Sequence, residues 1–239
     1  MNNTSIHSYS FEFYLKIYPI TFLNRLDLEK GDKVLLPSII LQKLSDSDIK
    51  GPIIFELTNT TSNKVSHCGV MDFTADEGCA YLPRWMIENL CINEGEILRF
   101  NHASLEKGIY VKFQPQTNDF FEISNPKAVL EAKLRYFTCL TRSDIIAIEY
   151  NNKIYWINII EVKPGIAISI IDTDIDVDFG TPVINKKINT QNLIKKDDLK
   201  DVGIESDKTQ LHYDDSSSIE NEGTEKPFGG KGHFNKKLQ

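Results

Sequence analysis

HCGVMDFTADEGCAYLPRWMIENL, residues 67–90, is the stretch from which the fold is read. Residues 68–73 form a short apolar run rich in strand-forming types, and Ala75-Asp76-Glu77-Gly78 supplies the turn that ends it. Pro83 then opens a helix over 83–90, because proline at the first helical position gives up an N–H that has no partner there in any case. A strand, a tight turn and a proline-started helix in so little sequence point to a compact, β-rich fold.

The pattern continues on both sides. Strands are expected over 11–17, 33–36, 53–57, 68–73, 97–100, 109–113, 145–150, 154–161 and 166–172. They are rich in Ile, Val, Phe and Tyr, and several alternate apolar with polar residues. Glu29-Lys30-Gly31-Asp32, Asn93-Glu94-Gly95-Glu96, Tyr150-Asn151-Asn152-Lys153 and Lys163-Pro164-Gly165 supply turns between them. Short helices are expected over 38–44 and 83–90. Asn125-Pro126, an N-cap followed by proline, starts the longest one. On that helix Val129, Leu130, Ala132, Lys133, Leu134, Tyr136 and Phe137 form a stripe that reads as core packing. Many short strands with such punctuation indicate a barrel or a related β-rich α+β architecture.

Beyond Pro182 the character changes. Residues 183–239 carry roughly ten lysines and about as many acids, with aromatic residues only at Tyr213, Phe228 and Phe234. Such a segment cannot bury enough apolar area to offset its ordering entropy, so it reads as a disordered tail. The net charge of -7 therefore belongs almost wholly to residues before it. That sign repels phosphate backbones and argues against a nucleic-acid partner. The polar start of the chain gives no secretory signal, and no apolar run reaches the length of a membrane span, so direct membrane insertion is not expected. The four cysteines, Cys68, Cys79, Cys91 and Cys139, contain no C-x-x-C pair and read as buried thiols of a cytosolic or nuclear protein. On that reading the sequons at Asn2 and Asn59 are without meaning.

Three candidate chemistries fail on spacing. The ladder Asp172, Asp174, Asp176, Asp178 lacks the glycine and glutamate of a calcium loop in either register; Ile175, Val177 and Phe179 instead mark the packed face of an acidic strand edge. Gly229-Gly230-Lys231-Gly232 has no hydroxyl residue after its lysine, unlike a phosphate loop. His67 and Cys68 are neighbours on a strand, so their side chains point to opposite faces and cannot act on each other. No catalytic residue, metal ligand or cofactor is assigned.

Longer strings carry a family resemblance. Residues 67–90, residues 113–155 (FQPQTNDFFEISNPKAVLEAKLRYFTCLTRSDIIAIEYNNKIY) and residues 172–182 (DTDIDVDFGTP) resemble the ubiquitin fusion degradation protein 1 family over about three-quarters of the chain. The family's Leu-Gly-Tyr after the closing proline is replaced here by Val183-Ile184-Asn185. The resemblance implies a double-psi β-barrel over 11–111, a small mixed α/β roll over 112–182 and the tail over 183–239. Together the two folded parts would be similar to the N-terminal domain of the ATPase that the family serves. It further implies a non-enzymatic adaptor that binds ubiquitin and polyubiquitin chains. With nuclear protein localisation protein 4, the adaptor recruits ubiquitylated substrates to the valosin-containing-protein type of AAA+ unfoldase for extraction and proteasomal degradation, including ER-associated degradation. The implied location is the cytoplasm and nucleus, including the cytosolic face of the endoplasmic reticulum. The ubiquitin-contacting residues are left unassigned. The alternatives are a double-psi-barrel enzyme with catalytic carboxylates and a scaffold lacking ubiquitin binding.

The tail carries a second match. Family members dock the ATPase through Phe-x-Gly-x-Gly-x-x-Leu followed by basic residues. Over 228–237 this chain keeps Phe228, Gly230, Gly232 and the trailing lysines, while Asn235 replaces the leucine and Phe234 offers an apolar group one residue early. The contact with nuclear protein localisation protein 4 is expected between Pro182 and Phe228.

Overall fold

The structure, a computed structural model, describes residues 11–47, 49, 51–183 and 232–234 of the chain. Six strands close into a barrel: β1 (Glu12–Pro19), β2 (Lys33–Pro37), β3 (Ile54–Asn59), β4 (Lys64–Ala75), β5 (Cys79–Leu82) and β6 (Ile97–His102). Their order around the barrel is β1-β5-β2-β4-β3-β6, with parallel pairing of β1 to β5 and of β2 to β4 among antiparallel neighbours. This is the double-psi barrel that the resemblance implies. Alternation builds its interior: Phe13, Leu15 and Ile17 of β1 point inward while Glu12, Tyr14 and Lys16 face out. The rings of Phe13 and Phe100 stack at 5.2 Å, and Phe55 meets Phe13 edge-on at 5.2 Å.

Two short helices flank the barrel, α1 (Ser38–Ser45) and α2 (Arg84–Asn89). Pro83 is the N-cap of α2, with φ −55° and ψ 141°, rather than its first helical residue. Between the turn at 75–78 and that helix the structure inserts β5, which the sequence reading missed. β5 exists because Cys79 to Leu82 run parallel to Lys16 to Pro19, a partner too distant for any local pattern to reveal.

The remaining strands build a five-stranded sheet, ordered β13-β12-β7-β10-β9. They are β7 (Tyr110–Pro115), β9 (Ile145–Tyr150), β10 (Lys153–Lys163), β12 (Ile175–Phe179) and β13 (Gly232–Phe234). Two further strands, β8 (Cys139–Thr141) and β11 (Ala167–Ser169), pair with each other. The β9–β10 hairpin turns on Asn151 and Asn152, both at positive φ (50° and 58°), as a two-residue turn between twisted strands requires. The third helix, α3 (Pro126–Leu134), starts as expected: the Asn125 side chain accepts the Ala128 N–H at 3.0 Å and Pro126 follows. Its buried face is Val129, Leu130 and Leu134. Tyr136, placed in the stripe by sequence, lies beyond the helix end and is half exposed, whereas Phe137 is buried. One continuous apolar core runs from the barrel into this second region. On β12, Ile175 and Val177 pack inward and Phe179 joins Phe113, Phe120 and Phe121, as expected for the face opposite the aspartates. Apart from Val183 and β13, residues 183–239 lie outside the described residues, so the disordered-tail reading falls outside them too.

Candidate functional site

Three features are placed by this architecture. The first is a buried polar seam where the barrel meets the second region. Gly31 and Gly69 let the two approach: a Cβ on Gly31 would strike the Tyr136 carbonyl, and one on Gly69 would strike the Thr138 side chain. Beside them the buried Asp32 accepts the N–H groups of Thr138 at 2.7 Å and Cys139 at 2.9 Å through Oδ2. Ser66 donates to Asp144 Oδ2 at 2.6 Å, and His67 Nδ1 lies 3.0 Å from Thr141 Oγ1. Asn89 Nδ2 donates to the Ile145 carbonyl at 3.0 Å while its Oδ1 accepts the Ile145 N–H at 3.2 Å. Every one of these bonds crosses from barrel to second region.

His67 and Cys68 are both buried, and the seam absorbs the imidazole. Burial lowers the His67 pKa and pushes the Cys68 thiol well above its ordinary value, opposite to what a base and its nucleophile need. Asn59, a sequon by sequence, is also buried: its Nδ2 donates to the Leu90 and Cys91 carbonyls, at 3.0 and 3.1 Å. No sugar could be attached there without breaking those bonds.

Burial pushes Asp144 up to about 7, against the pull of the Ser66 hydroxyl. Its folded pKa thus exceeds its unfolded one. The folded chain then holds a proton that the unfolded chain has released between roughly pH 4 and pH 7, so stability from this group is lost as pH rises through that window. The full difference is on the order of 4 kcal/mol. Asp144→Asn keeps an acceptor for Ser66 and removes the titration. Urea unfolding should therefore show the variant gaining stability relative to wild type between pH 5 and pH 8. A constant difference across that range would remove Asp144 as the source.

The second feature is a groove that sequence reading did not find. Its floor is the outer face of the β9–β10 hairpin, where Ala147 stands opposite Trp156 and Glu149 opposite Ile154. Its walls are α2, with Arg84, Trp85 and Glu88, and the short 3-10 turn Leu26–Lys30. Leu26 and Ile154 are more than half exposed and Trp156 is 37% exposed. Glu29 Oε2 accepts the Arg84 N–H at 3.0 Å, but its buried Oε1 has no hydrogen-bond partner among the described residues. Burial raises the Glu29 pKa. Three carboxylates (Glu29, Glu88, Glu149) face two cations (Lys30, Arg84), with Lys30 and Glu149 paired at 3.3 Å. The only local sign in the sequence was an outward Ile154-x-Trp156 on a strand, which periodicity alone does not separate from core.

The third feature is the outer edge of β12, where Phe234 stands opposite Ile175, His233 opposite Asp176 and Gly232 opposite Val177 in antiparallel register. Of the residues expected from the resemblance to dock the ATPase, Phe228 and Gly230 lie outside the described residues, and Gly232 and Phe234 are brought to this edge.

Two family models match the chain. "Ubiquitin fusion degradation protein UFD1, N-terminal subdomain 1" covers residues 11–106, and "N-terminal subdomain 2" of the same protein covers residues 107–182. The chain is 49% identical over 179 residues to the ubiquitin fusion degradation protein 1 homolog of Dictyostelium discoideum, covering 74% of this chain and 54% of that protein. It is 48% identical over 168 residues to the human ubiquitin recognition factor in ER-associated degradation protein 1, covering 70% and 55%. With ubiquitin fusion degradation protein 1 of Saccharomyces cerevisiae it shares 43% identity over 181 residues, covering 73% and 50%. The chain spans about half the length of these curated relatives. With both subdomain models matched in order along the barrel and the sheet that follows it, the chain belongs to the ubiquitin fusion degradation protein 1 family.

Proposed function

We propose that this chain is a non-enzymatic adaptor that binds ubiquitin and polyubiquitin chains through residues 11–182 and delivers the tagged proteins to a AAA+ unfoldase. The observation that carries the reading is its 48% identity to a protein named as a ubiquitin recognition factor in ER-associated degradation. The groove between α2 and the β9–β10 hairpin is the surface assigned to ubiquitin. An exposed tryptophan flanked by leucine and isoleucine suits a protein partner's apolar patch. The acidic balance of the groove and the unpartnered Glu29 oxygen suit a partner whose patch is rimmed by basic groups. The Phe228–Phe234 segment docks the valosin-containing-protein type ATPase, and the tail between Pro182 and Phe228 holds nuclear protein localisation protein 4. The adaptor works in the cytoplasm and nucleus, including the cytosolic face of the endoplasmic reticulum, in ubiquitin-dependent degradation.

Capture of purified tetraubiquitin by the immobilised full chain tests this reading. Wild type should bind, and Trp156→Ala should weaken capture at least tenfold, about 1.4 kcal/mol or more, while leaving the melting temperature close to wild type. Failure of wild type to bind ubiquitin would overturn the adaptor function. Undiminished binding by Trp156→Ala would move ubiquitin off this groove.

A further inference from the structure

β12 has two sides with different partners. On its inner side it runs parallel to β7, and the Asp176 N–H donates to the Ile109 carbonyl at 3.0 Å. Because successive backbone groups of a strand point to opposite sides, Ile175 and Val177 turn theirs outward. An edge of that kind is a template for another strand. Gly232–Phe234 takes it, aligned antiparallel on Ile175 to Val177. Beside this edge runs a small apolar groove of about 30 Å³, whose apolar lining is Val111, Leu134, Leu140, Ile170, Ile175 and Val177. Charge agrees with the pairing: β12 and its lead-in carry Asp172, Asp174, Asp176 and Asp178, while Lys231, Lys236 and Lys237 flank Gly232–Phe234 in sequence.

We propose that the outer edge of β12 and the apolar groove beside it are a binding site for the chain's own Phe228–Phe234 segment, so that the ATPase-docking strand is held in cis until a competing sheet edge takes it. The site accepts an extended, glycine-containing, lysine-flanked segment by strand addition. The ATPase is proposed to take the same row of main-chain donors and acceptors that faces β12, and one row cannot serve two sheets at once, so cis pairing and ATPase docking exclude each other. The full chain therefore binds the ATPase more weakly than the free segment does, in proportion to the fraction of molecules whose segment is released. Release of the segment also uncovers the β12 edge. The cis contact stands on the register described here; only its consequence for the ATPase rests on the docking function proposed above.

The test is a disulfide placed across the register in the full chain. Asp176 and His233 are directly opposite, and because Asp176 bonds inward they form a non-hydrogen-bonded pair. Such a pair sets Cα atoms about 4.5 Å apart, within the span of a disulfide. Asp176→Cys with His233→Cys, in a Cys91→Ser background that removes the exposed native thiol, is oxidised by dilute oxidised glutathione. An intramolecular disulfide is expected to form at least tenfold faster than in the out-of-register pair Asp174→Cys with His233→Cys. The oxidised protein should lose at least tenfold in affinity for the isolated ATPase N-terminal domain and recover it on reduction. A disulfide joining two copies, equal rates for the two pairs, or no disulfide in a chain that melts like wild type would each overturn cis docking. An intramolecular disulfide that leaves ATPase binding unchanged would overturn the mutual exclusion. If the in-register disulfide forms but neither the reduced variant nor wild type binds the ATPase, the β12 site stands and the ATPase-docking function falls.

Discussion

Replacing Asp32 with alanine is expected to lower the unfolding free energy by about 3–5 kcal/mol, a large part of the stability of a domain this size. The carboxylate sits at the start of β2 and is 1% exposed. Its Oδ2 accepts the Thr138 and Cys139 N–H groups and lies 3.3 Å from Cys139 Sγ. Burial raises its pKa, and the two N–H donors pull the other way. Truncation removes that acceptor and strands two main-chain donors in a space water cannot reach, so each costs its full desolvation penalty. The damage falls on the joint between barrel and second region, because the donors open β8 while the acceptor belongs to the barrel. Asp32→Asn retains a carbonyl oxygen for the two donors and should lose less. Urea titrations of wild type and both variants measure this; a loss below about 1 kcal/mol for Asp32→Ala would show that the stranded donors find other partners.

The second large effect concerns the tail. Removing the Phe228 ring from a peptide spanning residues 222–239 should weaken its binding to the ATPase N-terminal domain by about 2–3 kcal/mol, roughly 30- to 150-fold. Strand addition takes affinity from main-chain hydrogen bonds and specificity from a few side-chain pockets, and the phenylalanine is the largest group available to fill one. A segment ordered on binding spends part of its interaction energy on that ordering, so the wild-type affinity should be on the order of micromolar. Phe234→Ala should cost less, since that residue stands one place from the family's leucine. Asn235→Leu should tighten binding. Calorimetric titration reads all three, and equal affinities for wild type and Phe228→Ala would remove the docking role.

Where a feature depends on neighbours in the chain, it was legible. The Asn125 cap, the Asn151-Asn152 hairpin turn and the alternation of β1, β9 and β10 are decided within a few residues, by a side chain reaching the next turn of backbone or by period-two burial. β5 and β8 escape the sequence reading, and β12 shows in it only as an acidic strand edge with Ile175, Val177 and Phe179 on its packed face. They are three to five residues long and owe their existence to partners elsewhere: β5 to β1, β8 to β11, β12 to β7. The same limit hid the groove, since Trp156 and Glu29 meet only after the hairpin packs beside the Leu26–Lys30 turn.

The amino-acid sequence by itself determined the β-rich class, the family, and which residue types sit where along the strands. Hydrophobic periodicity, turn chemistry and multi-residue strings are written in consecutive positions and need no partner to be read. Only the tertiary structure decided that Asp32, Ser66, His67 and Asp144 are buried and bonded across a joint, and that β12 offers its outer edge to Gly232–Phe234. A polar residue in a sequence looks solvated by default. It becomes structural when the fold removes water from it and brings a donor or acceptor from far along the chain.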